Sequence, residues 1–136
     1  MKLQNREVAI CIIFDKQNRI LLQKKTLDYK YYPNGPWLLP GGKLEKNELP
    51  EKTIMRELEE EFGNNFYVKF FKTSSFTNPL GFNVKEHVFI SKFNGNISQI
   101  RLSEGIGFAF FDISELDSIN ISPFHLNIIK EYINNK

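Results

Sequence analysis

The stretch that decides the fold is residues 42–63, GKLEKNELPEKTIMRELEEEFG. It predicts a helix from Leu49 to Phe62. Pro50 suits the first turn, where its missing N–H costs nothing, and Gly63 suits the C-terminal stop. Apolar residues recur at helical spacing, so one side of this helix is expected to pack on a core. The stripe consists of Ile54, Met55, Leu58 and Phe62.

The same helix carries three carboxylates, Glu57, Glu60 and Glu61, at i, i+3 and i+4. At about 100° per residue they fall within an arc of roughly 100°, beside the apolar stripe. Like charges a few Å apart repel by about 1–4 kcal/mol at surface dielectrics, and a divalent cation removes that penalty. Oxygen ligands without cysteine or paired histidine suit Mg²⁺ or Mn²⁺ rather than zinc. The alternative for the triplet alone is a solvated acidic face.

The spacing around these residues resembles the Nudix box: Gly, five residues, Glu, seven residues, then Arg-Glu-aliphatic-any-Glu-Glu-any-Gly-aliphatic. Gly42, Glu48 and the run from Arg56 to Gly63 match, and only Asn64 departs, where the pattern has an aliphatic residue. Asn47 stands where many members have glycine. Such a match arises by chance on the order of once in ten million such chains. Three further segments are similar to the family: 20–25, 37–42 and 110–116.

The resemblance implies a hydrolase in which water attacks a phosphorus and splits the pyrophosphate bridge of a nucleoside diphosphate derivative. Position by position, it implies that Glu57, Glu60 and Glu61 ligate the metal. The carbonyl of Gly41 or Gly42 would be a further ligand. The remaining roles concern positioning: Arg56 would orient Glu57, and Glu48 would brace the loop or support the ligands from behind.

Other candidates carry roles that the box does not fix. The general base would be Glu60, Glu61 or a carboxylate outside the box, for which Glu104 is our candidate. Lys25 and Lys43 would contact substrate phosphate, with solvated lysines as the alternative. Aromatic residues would stack a base or, alternatively, pack in the core. They are Trp37, Tyr31, Tyr32, Phe76 and Phe82.

Working outward, we expect one domain over residues 1–136, with an α+β or α/β fold: a Nudix-type α/β/α sandwich with a mixed central sheet. A short helical turn is expected at Ser114–Ser118 and a final helix from Ser122-Pro123 to Asn134. Apolar, β-rich runs predict the strands, of which the short 37–39 strand would stop at Pro40-Gly41-Gly42. The predicted strands are Val8–Phe14, Arg19–Lys25, Trp37–Leu39, Phe66–Phe76, Val84–Phe93 and Phe108–Phe111.

Composition bounds the function further. The chain has 41% hydrophobic and 25% charged residues, which is ordinary for a globular protein, and no apolar run of the length that a membrane helix needs. A net charge of +2 argues against nucleic acid as a partner. The single cysteine, Cys11, is expected to be buried, and a cytoplasmic setting follows. His87 and His125 lie in no ligand spacing and are expected to be structural or surface residues.

The partner implied by the resemblance is therefore a small nucleotide-type molecule. Two alternatives remain open: a non-catalytic Nudix-fold nucleotide sensor, and an RNA 5′-end pyrophosphohydrolase. The box leaves open which nucleotide is bound, how many metal ions take part, and whether a second copy of the chain forms a homodimer with the first.

Overall fold

The computed structural model describes residues 5–24, 35–63, 66–78, 80–94 and 107–135. Within them lie seven strands, two α-helices and one 3₁₀ helix, Ile113–Ser118. The helices are α1 (Pro50–Phe62) and α2 (Pro123–Asn134). The strands in chain order are β1 (Asn5–Phe14), β2 (Ile20–Lys24), β3 (Trp37–Leu38), β4 (Gly41–Lys43), β5 (Lys69–Thr77), β6 (Asn83–Lys92) and β7 (Gly107–Phe111).

The strands form one mixed sheet, as predicted. Its order is β3-β2-β1-β6-β5, with β4 paired to β1 and β7 paired to β2. The β1–β6 pair is parallel along its whole length, and the other pairs are antiparallel. One edge of β1 is therefore shared: it pairs with β2 at Phe14 and with β4 at residues 8–10.

Alternation along β1 divides the core into two layers, because successive side chains of a strand point to opposite faces. Val8, Ile10, Ile12 and Phe14 pack with Ile128 and Ile129 of α2. Ala9, Cys11 and Ile13 pack on the other face with Ile54, Leu58 and Phe62 of α1. The sandwich expected from the sequence is thus confirmed. Cys11 is buried, and burial raises the pKa of its thiol.

Three local expectations were wrong. The strand from Trp37 does end before Pro40-Gly41-Gly42, at Leu38, but this run was not expected to form a strand itself. Residues 41–43 nevertheless form β4, because β1 supplies the pairing partner. Met55 does not join the buried stripe but is 45% exposed, and Thr53 and Glu61 are buried instead. The strand expected from Phe66 begins only at Lys69. No helix in the described ranges has the length and apolarity to cross a membrane.

Candidate active site

Arg56 contacts several of the candidate site residues at once. Its guanidinium makes a bidentate contact with Glu48, through Nε to Oε2 at 2.9 Å and Nη2 to Oε1 at 2.9 Å. Its Nη1 donates to Glu57 at 3.1 Å and to Glu60 at 3.4 Å. The carbonyl of Lys43 also accepts from Nη2, at 3.4 Å. One side chain therefore ties β4 and the loop after it to two carboxylates of α1.

Glu48 braces the loop between β4 and α1. Besides Arg56, its Oε1 accepts from the Thr53 hydroxyl at 2.7 Å and from the backbone N–H of Glu45 at 3.0 Å. These hydrogen bonds favour the ionised form, so the pKa of Glu48 falls to about 2, with Arg56 as the largest cause. The same pairing raises the pKa of Arg56. The bracing role implied by the resemblance matches this geometry.

Glu57 lies directly over Gly42. A β-carbon at position 42 would collide with the Glu57 carboxyl group, so only glycine leaves that space. Burial raises the pKa of Glu57, Arg56 opposes the rise, and Glu60 adds to it. A half-buried carboxylate close to one cation and one further carboxylate is an electrostatically poised group of the kind found at functional sites.

Glu61 is turned toward the sheet and is only 7% exposed. Its Oε2 accepts from the Gln23 side-chain amide of β2 at 2.9 Å. Gln23 is itself buried, so this contact fixes the carboxylate at the junction of α1 and β2. Glu60, in contrast, is largely exposed, with its side chain 59% accessible.

The backbone of Gly41 is available at the same place. Hydrogen bonds from Cys11 N–H to Pro40 and from Leu44 N–H to Glu7 set the β1–β4 register. In an antiparallel pair, hydrogen-bonded and non-hydrogen-bonded positions alternate, which makes Gly42 the bonded partner of Ala9. Gly41 falls in the other class, and its carbonyl turns away from β1. Of the two glycine carbonyls considered, Gly41 is thus the better candidate ligand.

These donors are hard oxygens, the type that Mg²⁺ and Mn²⁺ take, so the chemistry of the residues fits such an ion. These oxygens do not form a preorganised coordination site. Among the described residues, no three His, Cys, Asp or Glu side chains are grouped closely enough to hold a metal. The expected convergence of the three carboxylates is not seen, because Glu57 and Glu60 are held by Arg56 and Glu61 by Gln23. Cation binding there requires these side chains to rearrange.

A surface groove of about 520 Å³ opens beside Glu57. Lys43, Lys46 and Arg56 line it together with Glu45. Basic side chains next to carboxylates give a place where a polyanion can bind while charge remains nearly balanced. Lys43, which is expected from the sequence to contact phosphate, lines this groove, and that contact stays a prediction.

Some of the remaining candidate residues lie within the described part of the chain, and the others do not. Trp37 packs edge-on against Phe111 at 4.9 Å, with the Lys24 ammonium 5.4 Å from its ring centre, so the structure gives it a packing role. Phe76 stacks on Phe124 at 4.0 Å, and Phe82 packs against the α2-side core. The other candidates lie outside the described residues: Lys25, Tyr31, Tyr32, Asn64 and Glu104.

Sequence reasoning missed two supporting residues, Gln23 and Thr53. Gln23 lies 38 residues from its partner Glu61, and its only signal was an uncharged polar side chain inside the otherwise apolar part of the β2 run ILLQK. Thr53 is fully buried and donates to Glu48.

Comparisons with known proteins show what the chain is similar to. The family model described as NUDIX domain matches residues 4–132. An 8-oxo-dGTP diphosphatase of Proteus vulgaris is 45% identical over 56 residues, 41% of this chain and 48% of that protein. The Escherichia coli K12 protein of the same name is 35% identical over 57 residues, 42% of this chain and 43% of that protein. The chain thus matches about half the length of these curated relatives.

A solved structure shows the likeness over the whole fold. The MutT protein from Methanosarcina mazei Go1 superimposes with a TM-score of 0.81, covering 99% of this chain and 96% of that chain at 18% identity. At that identity the superposition establishes the shared fold alone.

Proposed function

Because the chain belongs to the NUDIX domain family, we propose that it hydrolyses a pyrophosphate bond in a nucleoside diphosphate derivative, such as a nucleoside triphosphate or a nucleotide sugar. We treat residues 1–136 as one domain that acts on a small nucleotide. The single, buried Cys11 is consistent with a cytoplasmic setting. Two curated relatives named 8-oxo-dGTP diphosphatase support nucleoside triphosphates as the first substrates to test.

The observation that carries the proposal is the seating of the Glu57 carboxylate over Gly42, with Arg56 holding it and Glu48 holding Arg56. A buried charge needs specific partners, and this one sits at the mouth of a groove with basic walls. A purely structural acidic helix face would leave its glutamates in solvent instead.

We propose that Glu57, Glu60, Glu61 and the Gly41 carbonyl hold Mg²⁺ or Mn²⁺. Such an ion, when bound, lowers the pKa of water and offsets charge on the leaving phosphate. The chain's own contribution is positional. Arg56 orients Glu57, Gln23 orients Glu61, and Lys43 neutralises substrate phosphate at the groove. The general base is Glu60, Glu61 or Glu104.

A substrate panel tests the proposal. Nucleoside triphosphates, nucleotide sugars and dinucleotide polyphosphates are incubated with Mg²⁺ or Mn²⁺, and released phosphate, pyrophosphate and nucleotide are quantified. We expect turnover of at least one class. Folded protein that turns over none contradicts the proposal, and tight nucleotide binding without hydrolysis indicates a sensor. Activity on capped or triphosphorylated RNA that falls steeply with added salt indicates an RNA enzyme.

Single substitutions then identify the machinery. Glu60→Gln or Glu61→Gln is expected to lower kcat at least about 100-fold, since metal and base roles are hard to replace. Glu59→Gln is the matched control, because Glu59 is exposed on the same turn and occupies an unspecified position of the box. An unchanged kcat in the first two variants removes both residues from the mechanism.

A further inference from the structure

A second pocket lies on the opposite face of the sheet from α1. It is a narrow cavity of about 40 Å³ with apolar walls that include Val8 and Leu39. Gly41 and Gly42 form part of its lining, and Arg6, Glu86 and His125 supply polar groups. This volume holds about one or two waters, or the edge of a planar ring.

The hydrogen bonds of His125 fix the state of its ring. The backbone N–H of Leu39 donates to Nδ1 at 3.0 Å, so Nδ1 carries no proton. Nε2 then carries the proton and donates to Oε2 of Glu86 at 2.8 Å. His125, on α2, therefore holds one oxygen of Glu86, on β6, in a fixed place.

The second oxygen of Glu86 is left without a partner. Glu86 is only 1% exposed, and no donor in the described residues reaches Oε1. A buried acceptor without a donor costs free energy, so such groups in native proteins commonly mark a ligand or water position. This oxygen belongs to a residue that lines the cavity.

The cavity adjoins the candidate active site through β4. In antiparallel pairs, opposite residues share a face, so Gly41 lies on the face of Ile10 and Gly42 on the face of Ala9. Gly42 lies against the Glu57 carboxyl group, and both glycines line the cavity. A ligand whose phosphates lie near Glu57 can thus extend its other end toward Glu86.

Resting on the proposed function, we propose that Glu86 is a specificity-determining residue: its unpaired oxygen accepts hydrogen bonds from an N–H-bearing edge of the substrate's nucleobase. Guanine, adenine and cytosine present amino groups on their pairing edges. Thymine and uracil present one N–H between two carbonyl oxygens, which a carboxylate repels. Glu86 therefore favours amino-bearing bases over thymine and uracil.

The decisive variant is Glu86→Gln. Because Nδ1 of His125 is occupied, Nε2 still needs an acceptor, which the amide oxygen of glutamine supplies. The amide NH₂ then faces the cavity, replacing an acceptor by a donor. We expect kcat/KM for dGTP, dATP and dCTP to fall at least about tenfold, while that for dTTP is unchanged or rises.

Glu131→Gln is the matched control, since Glu131 lies on α2, the helix that carries His125, but pairs with Lys72 near the surface. Base preference in this variant should equal that of the parent protein. If Glu86→Gln lowers the kcat/KM of all four nucleotides equally, the inference is wrong, although the proposed hydrolysis stands.

Two further measurements do not depend on the variant, and the first of them does not depend on turnover either. Calorimetry with dGMP and dTMP in metal-free buffer should show tighter binding of dGMP to the parent protein, and equal affinities overturn the inference. A purine deoxynucleoside triphosphate without its exocyclic amino group should have at least about tenfold lower kcat/KM than dATP, and equal values again overturn it. If no nucleotide is hydrolysed, the proposed function fails, while calorimetry still decides on Glu86.

Discussion

At the residue scale, two adjacent glycines serve different purposes. A β-carbon at Gly42 would come nearest to the carboxyl end of the flexible Glu57 side chain, whereas one at Gly41 would come nearest to the backbone of Ala9 and Ile10. Gly41 also has φ +155°, outside the range that other residues adopt easily. Gly42 therefore leaves room for the Glu57 side chain, and Gly41 allows the backbones of β4 and β1 to approach closely.

Gly42→Ala should fold but lose activity. We expect stability close to that of the parent protein and a kcat about 10- to 100-fold lower, because displacing a reacting group by about 1 Å costs on that order. Chemical denaturation and steady-state kinetics measure the two quantities. Full activity in this variant would show that the position of Glu57 over residue 42 is irrelevant.

Gly41→Ala should instead lower the stability of the fold. Backbone strain of this kind costs about 1–3 kcal/mol, and the pairing of β4 with β1 is weakened directly. Denaturant titration gives the free energy of unfolding. A variant as stable as the parent would contradict the close backbone approach described here.

Glu48 makes the stability depend on pH. Its pKa is lowered to about 2 in the folded protein from an ordinary 4.5. Its contribution is therefore fully present above about pH 4.5 and is lost as the pH falls toward 2. Denaturation at several pH values should show a shallower decline for Glu48→Gln than for the parent, with Glu59→Gln as control. Parallel curves for Glu48→Gln and the parent would exclude this linkage.

Residue-level prediction succeeded where chemistry is local in sequence. Glu48, Arg56 and Glu57 lie within ten residues; the resemblance to the Nudix box implied positioning roles for the first two, and in the structure Arg56 contacts both glutamates. Such prediction failed for Gln23 with Glu61 and for Glu86 with His125, pairs 38 and 39 residues apart. No periodicity connects such partners, since only the assembled sheet brings them into contact.

At the element scale, the loop before α1 depends on Asn47. Its φ of +64° is left-handed, a conformation that asparagine tolerates and glycine adopts freely. This accounts for asparagine at a position where the family pattern often has glycine. This loop conformation places the Glu48 carboxylate where it accepts hydrogen bonds from Arg56.

Asn47→Gly should therefore retain both stability and activity, whereas Asn47→Val should cost about 1–2 kcal/mol because a branched side chain is strained there. Thermal and chemical denaturation of both variants measures the difference. Equal stability of the two variants would show that the loop can relax.

Local pattern also explains which elements were predictable. Both helices begin at a proline and α1 also ends at a glycine, and their bounds lie within one or two residues of expectation. β4 consists of Gly41, Gly42 and Lys43 and has no strand propensity. Pairing with β1 creates it, so single-sequence reasoning had no means of finding it.

At the scale of the whole molecule, ligand binding should appear as added stability. An ion that binds only the native state stabilises it by about 2.7 kcal/mol at a concentration of 100 times its Kd. We expect Mg²⁺ or Mn²⁺ to raise the Tm of the parent protein and to leave that of a Glu57→Gln, Glu60→Gln double variant nearly unchanged. Equal Tm shifts in the parent protein and the double variant would show that the ion binds away from Glu57 and Glu60.

The two faces of β4 have a consequence for insertions and deletions. Gly42 lies on the face of Ala9, against Glu57, and Gly41 lies on the face of Ile10, so a single pleat separates the two faces. Adding or deleting one residue ahead of Gly41 would invert that pleat and exchange the two faces. The site should thus reject any change of chain length at this point, and adaptation to longer ligands is confined to the surrounding loops.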